Sequence, residues 1–136
     1  MVCIYCKSKT RVINSRFQKR TNHIWRRRTC TSCGNTTTSI ESTDLSRSIM
    51  IKTNNRLQPF QRDELFLSLY ESLKHRKTAL TDAIGLTDTI INMLCTQINN
   101  AVLDKPTIIN ATTQTLHKFD KIAVTHYTAF HPTNNK

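Results

Sequence analysis

Two C-x-x-C pairs constrain this chain more than any other feature. Cys3-Ile-Tyr-Cys6 and Cys30-Thr-Ser-Cys33 bracket residues 7–29, a loop of 23 residues. Each pair sets two sulfurs on one tight turn, and two such turns supply the four soft ligands of a tetrahedral Zn2+ site. A rubredoxin-like iron centre uses similar knuckles, but an electron carrier fits poorly on a loop as basic as this one. Four thiolates leave no open coordination position, so the expected zinc is structural. Gly34 follows the second knuckle, where a left-handed residue relieves the turn, and Lys7 stands at the equivalent place in the first.

Charge is divided unequally around this motif. The 136-residue chain has a formal net charge of +11. Residues 1–40 hold nine Lys/Arg and no Asp/Glu (+9), and residues 41–136 hold eleven Lys/Arg and nine Asp/Glu (+2). The first forty residues also have few large apolar side chains, so metal-binding energy has to serve as folding energy there. Arg11, Arg16, Lys19, Arg20, Arg26, Arg27 and Arg28 crowd the loop without a balancing acid. Arginine's planar fork suits phosphates and guanine edges, and a clustered basic stripe is the footprint of nucleic-acid binding. Charge does not separate DNA from RNA, and a ribosome- or polymerase-associated RNA factor is a second reading. Trp25 and Phe17 could stack on bases, but in so small a ribbon Trp25 is expected to supply core.

The chain divides into two parts, residues 1–45 and 46–136, and the fold class is α+β. Thr10–Phe17, Ile24–Arg28 and Thr36–Glu41 are rich in β-formers and predict three short strands, with residues 18–23 as a hairpin tip. Polar residues 41–44 mark the boundary. Residues 48–52 read as a strand, Asn54-Asn55 as a tight turn, and Arg56-Leu57-Gln58 as the returning strand. Helical spacing follows: Leu65, Leu69 and Leu73 share one face, and Ile91, Leu94, Ile98 and Val102 share another. Pro106 predicts a break before a short helix carrying Ile108, Thr112, Leu116 and Phe119. Asp120 is positioned to cap a last helix carrying Ile122, Ala123, Tyr127 and Phe130. Cys95, on the apolar stretch, is expected to be a small buried hydrophobe.

No run of residues resembles a signal peptide or a membrane span, so a soluble cytoplasmic protein is expected. No Ser-His-Asp set, Gly-rich phosphate loop or paired carboxylates suggest catalysis, and the chain is not expected to be an enzyme.

These residues carry a family resemblance. Cys-x2-Cys, then residues 10–16 (Thr-Arg-Val-Ile-Asn-Ser-Arg) and 26–34 (Arg-Arg-Arg-Thr-Cys-Thr-Ser-Cys-Gly), resemble the zinc ribbon of NrdR, the bacterial repressor of ribonucleotide reductase genes. Residues 49–60 (Ile-Met-Ile-Lys-Thr-Asn-Asn-Arg-Leu-Gln-Pro-Phe) are similar to the opening of an ATP-cone. The resemblance implies Cys3, Cys6, Cys30 and Cys33 as zinc ligands. It implies Arg11, Arg16, Arg26, Arg27 and Arg28 as contacts to double-stranded DNA, at operator boxes upstream of reductase genes. It also implies ATP or dATP as a bound effector, held near Ile51, Lys52 and Arg56, that changes the state of a homo-oligomer. The chain departs from the family at the hairpin, which runs Lys52-Thr-Asn-Asn-Arg56 where Lys-Lys/Arg-Asp-Gly-Arg is usual. Glu64 stands where the family usually has a lysine, and Ala123-Val-Thr-His126 lacks the usual aromatic and arginine, so ring contacts to adenine do not carry over. A cone that serves only as an oligomerisation module is the alternative.

Overall fold

The computed structural model describes residues 1–132 and divides into two compact units, Met1–Thr43 and one beginning at Asp44. The first unit is an antiparallel sheet of β1 (Thr10–Gln18), β2 (His23–Cys30) and β3 (Thr36–Ser42), in the order β1-β2-β3. β-Branched and aromatic residues favour these strands, and Asn22 (φ 49°) turns the chain between β1 and β2. The ladder is irregular at one place. Val12 pairs with Arg28 and Asn14 with Arg27, leaving Ile13 as a bulge.

The unit has almost no apolar interior. Its only buried hydrophobic side chains are Cys3 and Cys30, while Phe17 (62%) and Ile40 (60%) are exposed. Trp25, expected as core, is half-buried, because a single sheet layer offers nothing to enclose an indole completely.

The second unit is built differently. After the single-turn helix α1 (Leu45–Ser48), β4 (Met50–Thr53) and β5 (Arg56–Pro59) form a hairpin. Asn54 takes the left-handed conformation at its tip (φ 52°). Four helices follow, α2 (Arg62–Leu73), α3 (Ala79–Gln97), α4 (Lys105–Phe119) and α5 (Lys121–Phe130), with β6 (Val102–Asp104) between α3 and α4. β6 pairs parallel to β4, giving the order β5-β4-β6. The core is one cluster in which Leu69, Leu73, Ile90, Leu94 and Leu116 are fully buried. Three of its buried hydroxyls bond back along their own helices: Ser72 to the Ser68 carbonyl at 2.8 Å, Thr87 to Ala83 at 2.6 Å, Thr112 to Ile108 at 2.8 Å.

Two sequence expectations are corrected here. Val102 does not continue the α3 face, because Asn100 and Ala101 both take positive φ (53° and 58°) and redirect the chain into β6. The break expected at Pro106 is present: it stands in the first turn of α4, where its missing N–H is not needed. Cys95 is exposed: the buried stripe of α3 runs through Ala83, Thr87, Ile90 and Leu94, and the next residue turns about 100° away.

Asp120 ties the helices together. One carboxylate oxygen caps α5, accepting from the backbone N–H groups of Ile122 (2.9 Å) and Ala123 (3.1 Å). The other accepts from His75 Nε2 (3.0 Å) and Arg76 Nη1 (2.9 Å) in the α2–α3 loop, and Arg76 Nε also donates to Asp82 (2.8 Å). Burial opposes ionisation of Asp120, but the Ala123 N–H, His75 and Arg76 outweigh it and hold the carboxyl well below the usual range. A depressed carboxylate stabilises the fold above its unfolded pKa of about 4 and loses that contribution as pH falls towards its folded value. Asp120→Ala is therefore expected to lower helical-unit stability by about 1–2 kcal/mol at neutral pH through loss of the cap. Asp120→Asn, which can still cap, is expected to lose less and to soften the decline below pH 4. Thermal melts followed by circular dichroism at pH 7 and pH 3.5 read both effects, and an unchanged midpoint for Asp120→Ala would contradict them.

Candidate metal centre and nucleic-acid interface

The two knuckles are near copies of each other. The Cys3 N–H donates to the Ser8 carbonyl (2.8 Å) and the Cys30 N–H to the Asn35 carbonyl (2.9 Å), so each first cysteine closes a loop onto the fifth residue after it. Lys7 (φ 62°) and Gly34 (φ 71°) occupy equivalent left-handed positions, an arrangement that strains lysine by roughly 1–2 kcal/mol and glycine very little. Thr31 joins the knuckles, its N–H (3.2 Å) and Oγ1 (3.0 Å) both donating to the Lys9 carbonyl.

This places the four Sγ atoms within 4.8 Å of one another. Cys3 and Cys33 lie 3.7 Å apart and Cys6 and Cys30 3.4 Å. A tetrahedron with Zn–S bonds of about 2.3 Å has edges of about 3.8 Å, so the quartet fits zinc. The separations are far longer than the ~2.05 Å of a disulfide. N–H donors already face the sulfurs: Ser32 and Cys33 N–H to Cys30 Sγ (3.4 and 3.5 Å), and Asn35 Nδ2 to Cys33 Sγ (3.4 Å). Such donors stabilise thiolate ligands from outside the metal shell. The Ser8 hydroxyl and backbone bring Cys6 down to about 6. At Cys33 the Asn35 backbone favours the thiolate, but desolvation and three neighbouring sulfurs push it up to about 11. Four thiolates this close need a cation between them to ionise together.

The five arginines expected at DNA do not share one environment. Arg11, Arg16 and Arg27 are exposed. Arg26, its side chain 26% exposed, is ion-paired to Glu41, and Arg28 Nε donates to Ser39 Oγ at 2.9 Å.

In the second unit a cleft of about 170 Å³ opens between the β4–β5 hairpin, the start of α2, α4 and α5. Its wall includes Ile51, Phe60, Leu65, Ile108 and Tyr127, with Lys105, Glu64 and His131 among its polar groups. Of the three residues expected at a nucleotide, Ile51 lines this cleft, while Lys52 and Arg56 are exposed on the hairpin outside it. Arg62, close to Glu64 in sequence, is held by Asp88 at 2.8 Å. Lys105, Tyr127 and His131 were not anticipated from sequence. An aromatic at helical spacing reads as core, and nothing local announces that α4 starts beside the hairpin. His126 faces away, stacked on His75 with ring centroids 6.0 Å apart.

Comparison with known proteins bears on both units. Residues 1–41 match the family described as "Transcriptional repressor NrdR-like, N-terminal domain". The chain is 28% identical over 128 residues to the transcriptional repressor NrdR of Syntrophotalea carbinolica, covering 93% of this chain and 81% of that protein. It is 28% identical over 102 residues to NrdR of Symbiobacterium thermophilum (75% and 68%). It is 31% identical over 102 residues to NrdR of Halorhodospira halophila (74% and 63%). The first of these alignments is long enough to run through the ribbon and well into the helical unit. Among the described residues no helix is long and apolar enough to cross a membrane.

Because the ribbon buries cysteines in place of a core, Cys30→Ser is expected to lose its zinc and its sheet while the helices persist. Metal analysis, Trp25 emission (the single tryptophan lies in β2) and circular dichroism at 222 nm follow the three events separately. One zinc per chain retained in the variant, with native Trp25 emission, would contradict the four-cysteine site.

Proposed function

We propose that this NrdR-type chain is a zinc-dependent transcriptional repressor that binds duplex DNA upstream of ribonucleotide reductase genes through its ribbon. The observation that carries the reading is the combination of a four-sulfur centre with a basic sheet, in a chain whose similarity to NrdR covers 93% of its length. The role is binding rather than catalysis. The four sulfurs of the site saturate a tetrahedral metal, which leaves zinc a scaffold for the sheet that meets phosphate.

The helical unit is proposed as the sensor and oligomerisation module, with ATP or dATP as the effector. Its cleft is smaller than the roughly 300–1,000 Å³ of a typical small-molecule site, so it suits the base end of a nucleotide. The phosphates would lie at the rim, towards Lys105, with Lys52 and Arg56 on the exposed hairpin as the further cations proposed to meet them. Repression would follow nucleotide supply only if the effector binds one assembly of the protein more tightly than another. A specific observation favours a second reading, in which the unit only oligomerises: Glu64 lines the cleft, Arg62 is engaged by Asp88, and the hairpin cations stand outside.

Fluorescence anisotropy on a duplex from upstream of the organism's reductase genes, against a scrambled duplex and with or without dATP, separates these readings. Preference for the promoter, shifted at least several-fold by dATP, is the expected result. Preference without a shift favours the oligomerisation reading. Equal affinity for both duplexes would contradict an operator-specific repressor.

A further inference from the structure

The bulge at Ile13 decides which cations share a surface. Strand side chains alternate between faces, so in a regular strand Arg11 and Arg16, five residues apart, would point in opposite directions. Here Arg11 pairs with Thr29 and Val12 with Arg28, Ile13 is skipped, and Asn14 pairs with Arg27 and Arg16 with Trp25. The extra residue resets the alternation. Residues directly opposite in an antiparallel ladder lie on the same face. Arg11, Arg16 and Arg27 therefore stand on one face of the sheet, with Asn14 between them and Trp25 beside Arg16. Continuing the register into β3 adds Thr38, opposite Arg27, and brings no acidic residue to this face. The opposite face carries Arg26 and Arg28, together with Glu41 and Ser39, which engage them.

Exposure agrees with this division. Arg27 is exposed while its neighbours Arg26 and Arg28 are half-buried, and among the described residues neither Arg11, Arg16 nor Arg27 has an acidic partner. We infer that the Arg11–Arg16–Arg27 face is the surface that meets the phosphate backbone of duplex DNA, and that Arg26 and Arg28 act within the ribbon to hold its other face. The inference rests on the proposed DNA-binding role and divides a cluster that looks uniform in sequence. Uncompensated positive charge on an exposed, acid-free surface complements a polyanion, whereas Arg26 is already compensated by Glu41 and Arg28, without an acidic partner among the described residues, is half-buried against the Ser39 hydroxyl. The two outer arginines of β1 are separated by four ladder steps of about 3.3 Å, roughly 13 Å, which spreads the contacts along the duplex.

The test measures the salt dependence of binding by the zinc-loaded full chain to one promoter duplex. Neutralising three phosphates predicts a slope of log K against log [salt] of about −2.7 from this face of each bound chain. Arg11→Ala, Arg16→Ala and Arg27→Ala are each expected to weaken binding and reduce the slope by about 0.9, with zinc content unchanged. The lysine variants at the same positions should keep the slope. Arg26→Gln and Arg28→Gln should leave the slope unchanged and instead lower the midpoint of ribbon unfolding seen by Trp25 emission. Slope lost with Arg26→Gln or Arg28→Gln at full zinc content, but kept with the other three, would overturn the assignment of faces. An equal loss from all five would overturn it too. A wild-type chain that binds no duplex at any salt concentration would overturn the DNA reading itself, an outcome distinct from either.

Discussion

Four cysteine sulfurs drawn within 4.8 Å are the constraint on which the first unit depends, because residues 1–43 bury no other hydrophobic side chains than Cys3 and Cys30. A three-stranded sheet with one bare layer cannot meet the entropy of ordering its chain from apolar burial alone. Metal ligation supplies the missing free energy, since the quartet does not exist in the unfolded chain. It also shapes the electrostatics. A zinc with four thiolates carries a local charge of −2, set against nine cations in residues 1–40. The N–H donors around Cys30 and Cys33 disperse part of that negative charge.

The second unit rests on different physics. Its core is a continuous hydrophobic cluster running from Ile49 to Tyr127. The hydroxyls of Ser72, Thr87 and Thr112 bond back within their own helices, whereas Thr113 Oγ1 is buried without a hydrogen-bond partner among the described residues. The polar keystone is Asp120, which caps α5 and gathers His75 and Arg76 from a loop about forty-five residues earlier. One unit therefore responds to chelation and thiol chemistry, and the other to acid and to packing. This difference lets metal loss and helix loss be followed as separate events in one chain.

What could be read from sequence follows the range of the interactions. The clustering of the four cysteines was legible because C-x-x-C spacing is a local property of a turn. The three ribbon strands, the β4–β5 hairpin and the Asp120 cap were legible for the same reason. β6 was not: Val102 keeps helical spacing with Ile98, and only its parallel pairing to Met50 makes it a strand. Cys95 was misjudged because an apolar neighbourhood does not reveal which side of α3 meets the core. Arg26, Arg27 and Arg28 look alike in sequence, and their division needs the register against Ser39 and Glu41. The bulge at Ile13 carries no glycine or proline to announce it. It is therefore on the basic faces of the ribbon, where register decides which charges share a surface, that the sequence says least.

A ribbon organised by one metal on Cys3, Cys6, Cys30 and Cys33 has a distinct signature in X-ray absorption at the zinc edge of the purified full chain. One zinc per chain with four sulfur scatterers at about 2.3 Å is expected. Fewer than four sulfurs, replaced by nitrogen or oxygen at about 2.0–2.2 Å, would contradict it.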